Sequence, residues 1–140
     1  MHNEHDVRNI LAGLFPGSER ATLVTLSGEL GAGKTTFVQQ VASIFGVEEA
    51  VTSPTFVLAK IYDLPKSDFK RLIHIDAYRL TSGAELTPLG FHELMKDPEN
   101  LIMLEWPEQV EDALPEPDLA LAFSVHEDGS RSITETGRRV

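Results

Sequence analysis

The chain has 140 residues, of which 41% are hydrophobic and 24% are charged, and its formal net charge is −10. This size and balance predict one globular domain over residues 1–140 and exclude a disordered or fibrous chain. The absence of cysteine excludes disulfides, iron–sulfur clusters and cysteine nucleophiles. A broad nucleic-acid-binding face needs a basic stripe. The sequence supplies none, with 12 Lys and Arg against 22 Asp and Glu, so direct binding of nucleic acid by this chain is disfavoured.

Neither a targeting segment nor a membrane span is predicted. The first nine residues contain no apolar signal-peptide core, and no apolar run in the sequence approaches the roughly 20 residues that cross a bilayer. We therefore expect a cytoplasmic protein with no membrane contact.

The first half of the chain alternates helix, strand and helix. Residues 3–14 carry apolar side chains at helical spacing, and the β-branched run from Ala21 to Leu26 predicts a buried strand. A second apolar face from Thr35 to Phe45 predicts a helix that Gly46 can close. The segment Thr52–Thr55 is predicted to be a polar loop because Pro54 favours extended geometry before it.

The second half is predicted to be richer in strands. Residues 56–62 and 71–75 flank a turn and predict a hairpin, and residues 118–125 and 131–136 predict another one at the C-terminus. Between them, Ser82 begins a helical pattern, short or broken because of Pro88, that continues up to Asp97-Pro98. The apolar run Leu101–Leu104 then predicts a central strand.

The segment from Gly28 to Thr35, GELGAGKT, matches the phosphate-binding P-loop pattern G-x-x-x-x-G-K-[ST]. The glycines allow backbone N–H groups to surround phosphate oxygens, Lys34 reaches the β- and γ-phosphates, and the Thr35 hydroxyl ligates Mg²⁺. A predicted strand before the loop and a helix after it make nucleotide binding the favoured interpretation.

Two apolar runs end in a carboxylate, at Asp76 and at Glu105. Either one can hold Mg²⁺, directly or through water, while the other orients the attacking water, and the sequence leaves these two roles open. The hydroxyls of residues 53–55 are further candidates for contact with phosphate or Mg²⁺. Trp106 is interpreted as a core or rim aromatic, and the histidines show no transition-metal spacing.

Other P-loop classes are less well supported. The sequence contains neither an N-K-x-D string for guanine recognition nor an L-S-G-G-Q transporter signature. A small-molecule or nucleoside kinase and a non-enzymatic nucleotide-gated switch stay open as alternatives to an ATPase.

The sequence resembles the bacterial TsaE (YjeE) family of ATPases in tRNA threonylcarbamoyladenosine biosynthesis. Four motifs carry the resemblance in the family's order: GELGAGKTT at 28–36, SPTF at 53–56, HIDAYRL at 74–80 and EWPE at 105–108. The resemblance implies an α/β fold of the P-loop NTPase class. The expected fold would have three layers, with a central mixed, mainly parallel sheet and a C-terminal β-hairpin.

The resemblance also implies functional roles for individual residues. Thr35 and Glu105 would bind Mg²⁺, Asp76 would act in hydrolysis together with Lys34 and Glu105, and Arg131 would lie near the base. The residues that would hold ATP are Gly31, Ala32, Gly33, Lys34, Thr35 and Thr36. It further implies weak ATP hydrolysis by the chain alone and action with the TsaB and TsaD proteins, with tRNA contacted only indirectly through that complex.

Overall fold

A computed structural model describes residues 4–16, 19–49 and 59–138 of the chain. The helices are α1 (Glu4–Leu11), α2 (Lys34–Ile44) and α3 (Phe91–Met95). The strands are β1 (Thr22–Gly28), β2 (Ala59–Asp63), β3 (Arg71–Asp76), β4 (Asn100–Glu105), β5 (Leu119–Val125) and β6 (Arg131–Arg138). Three 3₁₀ segments cover Gly83–Leu89, Pro107–Gln109 and Glu111–Ala113.

All six strands form one sheet in the order β2-β3-β4-β1-β5-β6. The four inner strands β3, β4, β1 and β5 are parallel, and the outer strands β2 and β6 pair antiparallel with β3 and β5. The predicted mixed, mainly parallel sheet is therefore confirmed, as are the two predicted hairpins.

The sheet is covered on both faces, which gives the predicted three layers. Helices α1 and α2 pack on one face, where Phe37, Val38 and Val41 are buried. The 3₁₀ segment 83–89 and α3 pack on the other face through Leu86 and Phe91. Every residue of β4 is buried, as the apolar run predicted for a central strand.

The helical pattern that begins at Ser82 is interrupted, as predicted, although the break falls two residues after Pro88. Residues 83–89 form a 3₁₀ helix that contains Pro88, and α3 begins after Gly90, whose φ is +76°. The Glu85 carboxylate accepts the N–H of Ser82 at 3.1 Å, which holds the start of this segment.

Two parts of the sequence predictions lie outside the described residues. These are the SPTF motif at 53–56, with the first residues of the predicted strand 56–62, and the first residue of the N-terminal helix. Within the described ranges, no helix is both long and apolar enough to cross a membrane.

Candidate nucleotide-binding site

The site lies at the carboxyl edge of the parallel strands. Glu105 ends β4 and is the register partner of Asp76, the last residue of β3, and of Leu26 near the end of β1. Parallel strands present their carboxyl ends at one edge, and ligands of open α/β sheets bind there. The P-loop connects β1 to α2 at the same edge, so the loop and both carboxylates predicted from the sequence converge.

The P-loop turns sharply and leads directly into α2. Gly28, Gly31 and Gly33 all have positive φ angles, and the N–H of Phe37 donates to the Gly33 carbonyl at 2.9 Å in the first turn of α2. No described side chain caps the start of α2, and its first turn contains no acidic residue. The first N–H groups and the positive end of the helix dipole are therefore available to an anion.

Gly28 is required by packing as well as by conformation. A Cβ at this position would lie 3.1 Å from the carbonyl carbon of Phe123 and closer still to the carbonyl oxygen. β5 therefore passes so near the start of the loop that only glycine fits. Gly31 also has a positive φ, +80°, but a Cβ there would meet no atom within 4 Å.

Lys34 is folded back into the loop. Its ammonium group donates to the carbonyl oxygen of Gly28 and, at 2.9 Å, to that of Glu29. It also lies 4.3 Å from the centre of the Trp106 ring, a cation–π distance. Burial lowers the pKa of Lys34 below 10.5, and nearby carboxylates, Glu105 foremost, partly offset this effect.

Thr35 and Glu105 form the centre of the site. The Thr35 hydroxyl donates to Glu105 Oε2 at 2.9 Å and lies 3.2 Å from Oε1. A second group reaches the same carboxylate, because His74 Nε2 lies 2.6 Å from Glu105 Oε2. His74 is fully buried. The family resemblance implied that Thr35 and Glu105 act together, whereas the sequence gave His74 no role.

Asp76 lies beside this group on the end of β3. It is half-buried, its Oδ1 accepts the N–H of Tyr78 at 3.0 Å, and it is among the carboxylates that raise the pKa of Lys34. The pairing of Thr35 with Glu105 makes Glu105 the better candidate for a metal ligand. Asp76 is thereby the better candidate for orienting water, although the sequence left these roles open.

Trp106 contributes to the site more directly than a rim aromatic would. It adopts the left-handed conformation, with φ +62° and ψ +54°, which is uncommon for a bulky residue and typical of functional sites. Its backbone N–H donates to the Leu26 carbonyl at 3.1 Å. The centre of its ring lies 4.9 Å from the centre of the Tyr78 ring. This backbone turn places the indole ring against Lys34.

Arg131 connects the C-terminal hairpin to the loop. Its Nε donates to the Gly31 carbonyl at 2.8 Å, and its Cδ would lie 3.7 Å from a Cβ at Gly33. The first residue of β6 therefore lies next to the P-loop, although 100 positions separate Arg131 from Gly31. Ala32 is buried and Thr36 is half-buried in the same loop and first helical turn.

A family model described as threonylcarbamoyl adenosine biosynthesis protein TsaE matches residues 1–133. This chain belongs to the TsaE family. It is similar to the tRNA threonylcarbamoyladenosine biosynthesis protein TsaE of Streptomyces coelicolor, with 42% identity over 82% of this chain and 79% of that protein. The TsaE of Treponema pallidum is 37% identical over 83% of this chain and 82% of that protein.

The fold of this TsaE-family chain also matches a solved structure. A crystal structure of Bacillus subtilis YdiB aligns with a TM-score of 0.70 and 28% identity over 96% of this chain and 80% of that one. The resemblance to the TsaE family stated from the motifs is therefore confirmed, and the predicted α/β P-loop fold agrees with this neighbour.

Proposed function

We propose that this chain binds Mg·ATP at the P-loop and hydrolyses it, as the ATPase subunit that supports threonylcarbamoyl modification of tRNA by the TsaB and TsaD proteins. The observation that carries the proposal is the contact of Thr35 with Glu105 at the uncapped start of α2, beside the Lys34 ammonium group. Family membership supplies the biosynthetic context.

The anion-binding step follows from the backbone. The open N–H groups of α2 and of the glycine-rich loop favour phosphate oxygens. In the structure, the Lys34 ammonium group donates hydrogen bonds to two carbonyl oxygens of the loop. Phosphate oxygens are stronger acceptors for a cation than neutral carbonyls, so bound nucleotide would draw Lys34 from these carbonyls toward the phosphates.

The donors at the centre of the site fit Mg²⁺. A threonine hydroxyl and a carboxylate are hard oxygen ligands of the kind that Mg²⁺ prefers, and P-loop proteins use this combination. Thr35 and Glu105 would hold the ion, which would offset charge on the phosphates. Asp76 would orient the attacking water from the neighbouring strand end, and Lys34 would stabilise charge on the transferred phosphoryl group.

The charge of the chain favours an indirect relation to tRNA. A net charge of −10 repels a polyanion, whereas ATP is bound locally by the helix end and one lysine. We therefore propose that TsaB and TsaD contact the tRNA, while this chain acts on their complex.

Phosphate release from γ-labelled Mg·ATP tests the proposal, with the chain alone and with TsaB, TsaD and tRNA. We expect slow release that rises when the partners are added and falls about 100-fold or more in Lys34→Ala. Lys96→Ala is the matched control, because Lys96 is an exposed lysine at the end of α3, outside the proposed site. Label transferred to an acceptor other than water would instead indicate a kinase, and tight binding without turnover would indicate a nucleotide-gated switch.

A further inference from the structure

His74 on β3 is a buried polar residue that was not among the predicted site residues. Its side chain is completely buried, and its nearest polar neighbour is the Glu105 carboxylate at 2.6 Å. In the parallel pairing of β3 with β4, the register partner of His74 is Met103, so the ring reaches diagonally to Glu105 two residues further along β4.

The chemistry of the two groups assigns the donor. A carboxylate only accepts hydrogen bonds, so His74 Nε2 must carry the hydrogen that lies between the two groups. The other ring nitrogen, Nδ1, is buried and has no hydrogen-bond partner among the described residues. Among the described residues, Glu105 is therefore the hydrogen-bond partner of the His74 ring.

We propose that His74 is a positioning residue that fixes the Glu105 carboxylate for Mg²⁺, an inference that rests on the proposed function. Glu105 Oε2 accepts from both His74 and Thr35, at 2.6 and 2.9 Å, whereas Oε1 has, among the described residues, the longer 3.2 Å contact with Thr35. Oε2 is thus held by two shorter contacts, and we expect Oε1 to be the Glu105 oxygen that binds the cation. Groups that orient a metal ligand in this way commonly change metal affinity about 10- to 100-fold when they are removed.

Three substitutions at His74 separate this role from ordinary core packing. His74→Gln retains an N–H donor at a reach similar to that of Nε2. His74→Asn introduces the same amide group as His74→Gln, on a side chain that is one methylene shorter. His74→Leu introduces a side chain without a hydrogen-bond donor. Met103→Ala is the control, because Met103 is equally buried and is the register partner of His74 but has an apolar side chain.

The readout is the Mg²⁺ concentration that half-saturates the protein–ATP complex. It is measured by titrating Mg²⁺ and monitoring the fluorescence of Trp106, the single tryptophan. We expect His74→Leu and His74→Asn to raise it about 10- to 100-fold and His74→Gln to restore most of the affinity. ATP affinity without Mg²⁺ should not change, and Met103→Ala should lower Tm without changing the half-saturating concentration. His74→Asn supplies the test if His74→Leu does not fold.

Two results would overturn the inference. Either His74→Leu and His74→Asn bind Mg²⁺ like the unmodified chain, or their loss of affinity is no larger than that of Met103→Ala at equal loss of Tm. Failure of the proposed function has a different signature, because the unmodified chain would then show no Mg²⁺ dependence of ATP binding at all.

Discussion

Gly28 and Gly31 allow a quantitative test of why the P-loop contains its glycines. Both residues have positive φ angles, +136° and +80°, and alanine in such a conformation costs about 1–2 kcal/mol. At Gly28 the new Cβ would also press against the Phe123 carbonyl group of β5. Overpacking of this kind adds about 1–3 kcal/mol, so Gly28→Ala should cost about 2–5 kcal/mol in total.

The same substitution at Gly31 should be much milder. A Cβ there meets nothing within 4 Å, so only the conformational cost of about 1–2 kcal/mol applies. For a domain of this size, about 1 kcal/mol corresponds to roughly 3–4 °C in Tm. We therefore expect Gly28→Ala to lower Tm by roughly 6–20 °C and Gly31→Ala by roughly 3–8 °C.

Denaturant unfolding of both variants, with Tm measured in parallel, tests whether Gly28→Ala loses more stability than Gly31→Ala. Both variants are Gly→Ala changes in one loop, so each serves as the composition control for the other. Equal losses of stability would refute the claim that β5 excludes a side chain at Gly28. A loss at Gly31 that exceeds the loss at Gly28 would refute it as well.

Three further predictions concern single side chains. The pKa of Lys34 is lowered by burial, so just below pH 10.5 the unfolded chain binds more protons than the folded chain. The free energy of unfolding of the unmodified chain, minus that of Lys34→Met, should therefore rise as the pH approaches 10.5 from below. Denaturant titrations in which this difference stays flat or falls would contradict the prediction. Glu105→Gln should weaken Mg²⁺-dependent ATP binding at least about 10-fold by isothermal titration calorimetry, whereas the exposed Glu93→Gln should have no effect. Asp118 Oδ2 accepts the N–H of Leu23 at 2.8 Å, so Asp118→Ala should lower the free energy of unfolding by about 1–3 kcal/mol, and a change under about 0.5 kcal/mol would contradict this contact.

The local features of the fold were predictable because their signals are contiguous. The P-loop string, the apolar run before Glu105 and the β-branched run of β1 each specify a strand or loop from neighbouring residues. The convergence of Asp76 and Glu105 was also foreseeable in outline, because both residues end predicted strands. Their exact juxtaposition depends on the register of β3 with β4, which the sequence does not state.

The missed features all depend on distant contacts or on unusual backbone. His74 acquires its role only when β4 brings Glu105, 31 residues away, to within 2.6 Å. In the sequence it is one polar residue within an apolar strand. Trp106 points at Lys34 because of a left-handed backbone turn, a conformation that residue preference disfavours for tryptophan. Its position directly after the strand-ending carboxylate was the only available signal.

We propose that ATP hydrolysis at Lys34, Thr35 and Glu105 supports tRNA modification by TsaB and TsaD. The most direct test counts phosphate released and threonylcarbamoyladenosine formed in one reaction that contains tRNA, both partners and the threonylcarbamoyl donor. We predict that both products accumulate with the unmodified chain and with Lys96→Ala, and that both are lost together with Lys34→Ala. Sustained formation of modified tRNA with Lys34→Ala, at the rate of the unmodified chain, would contradict the account.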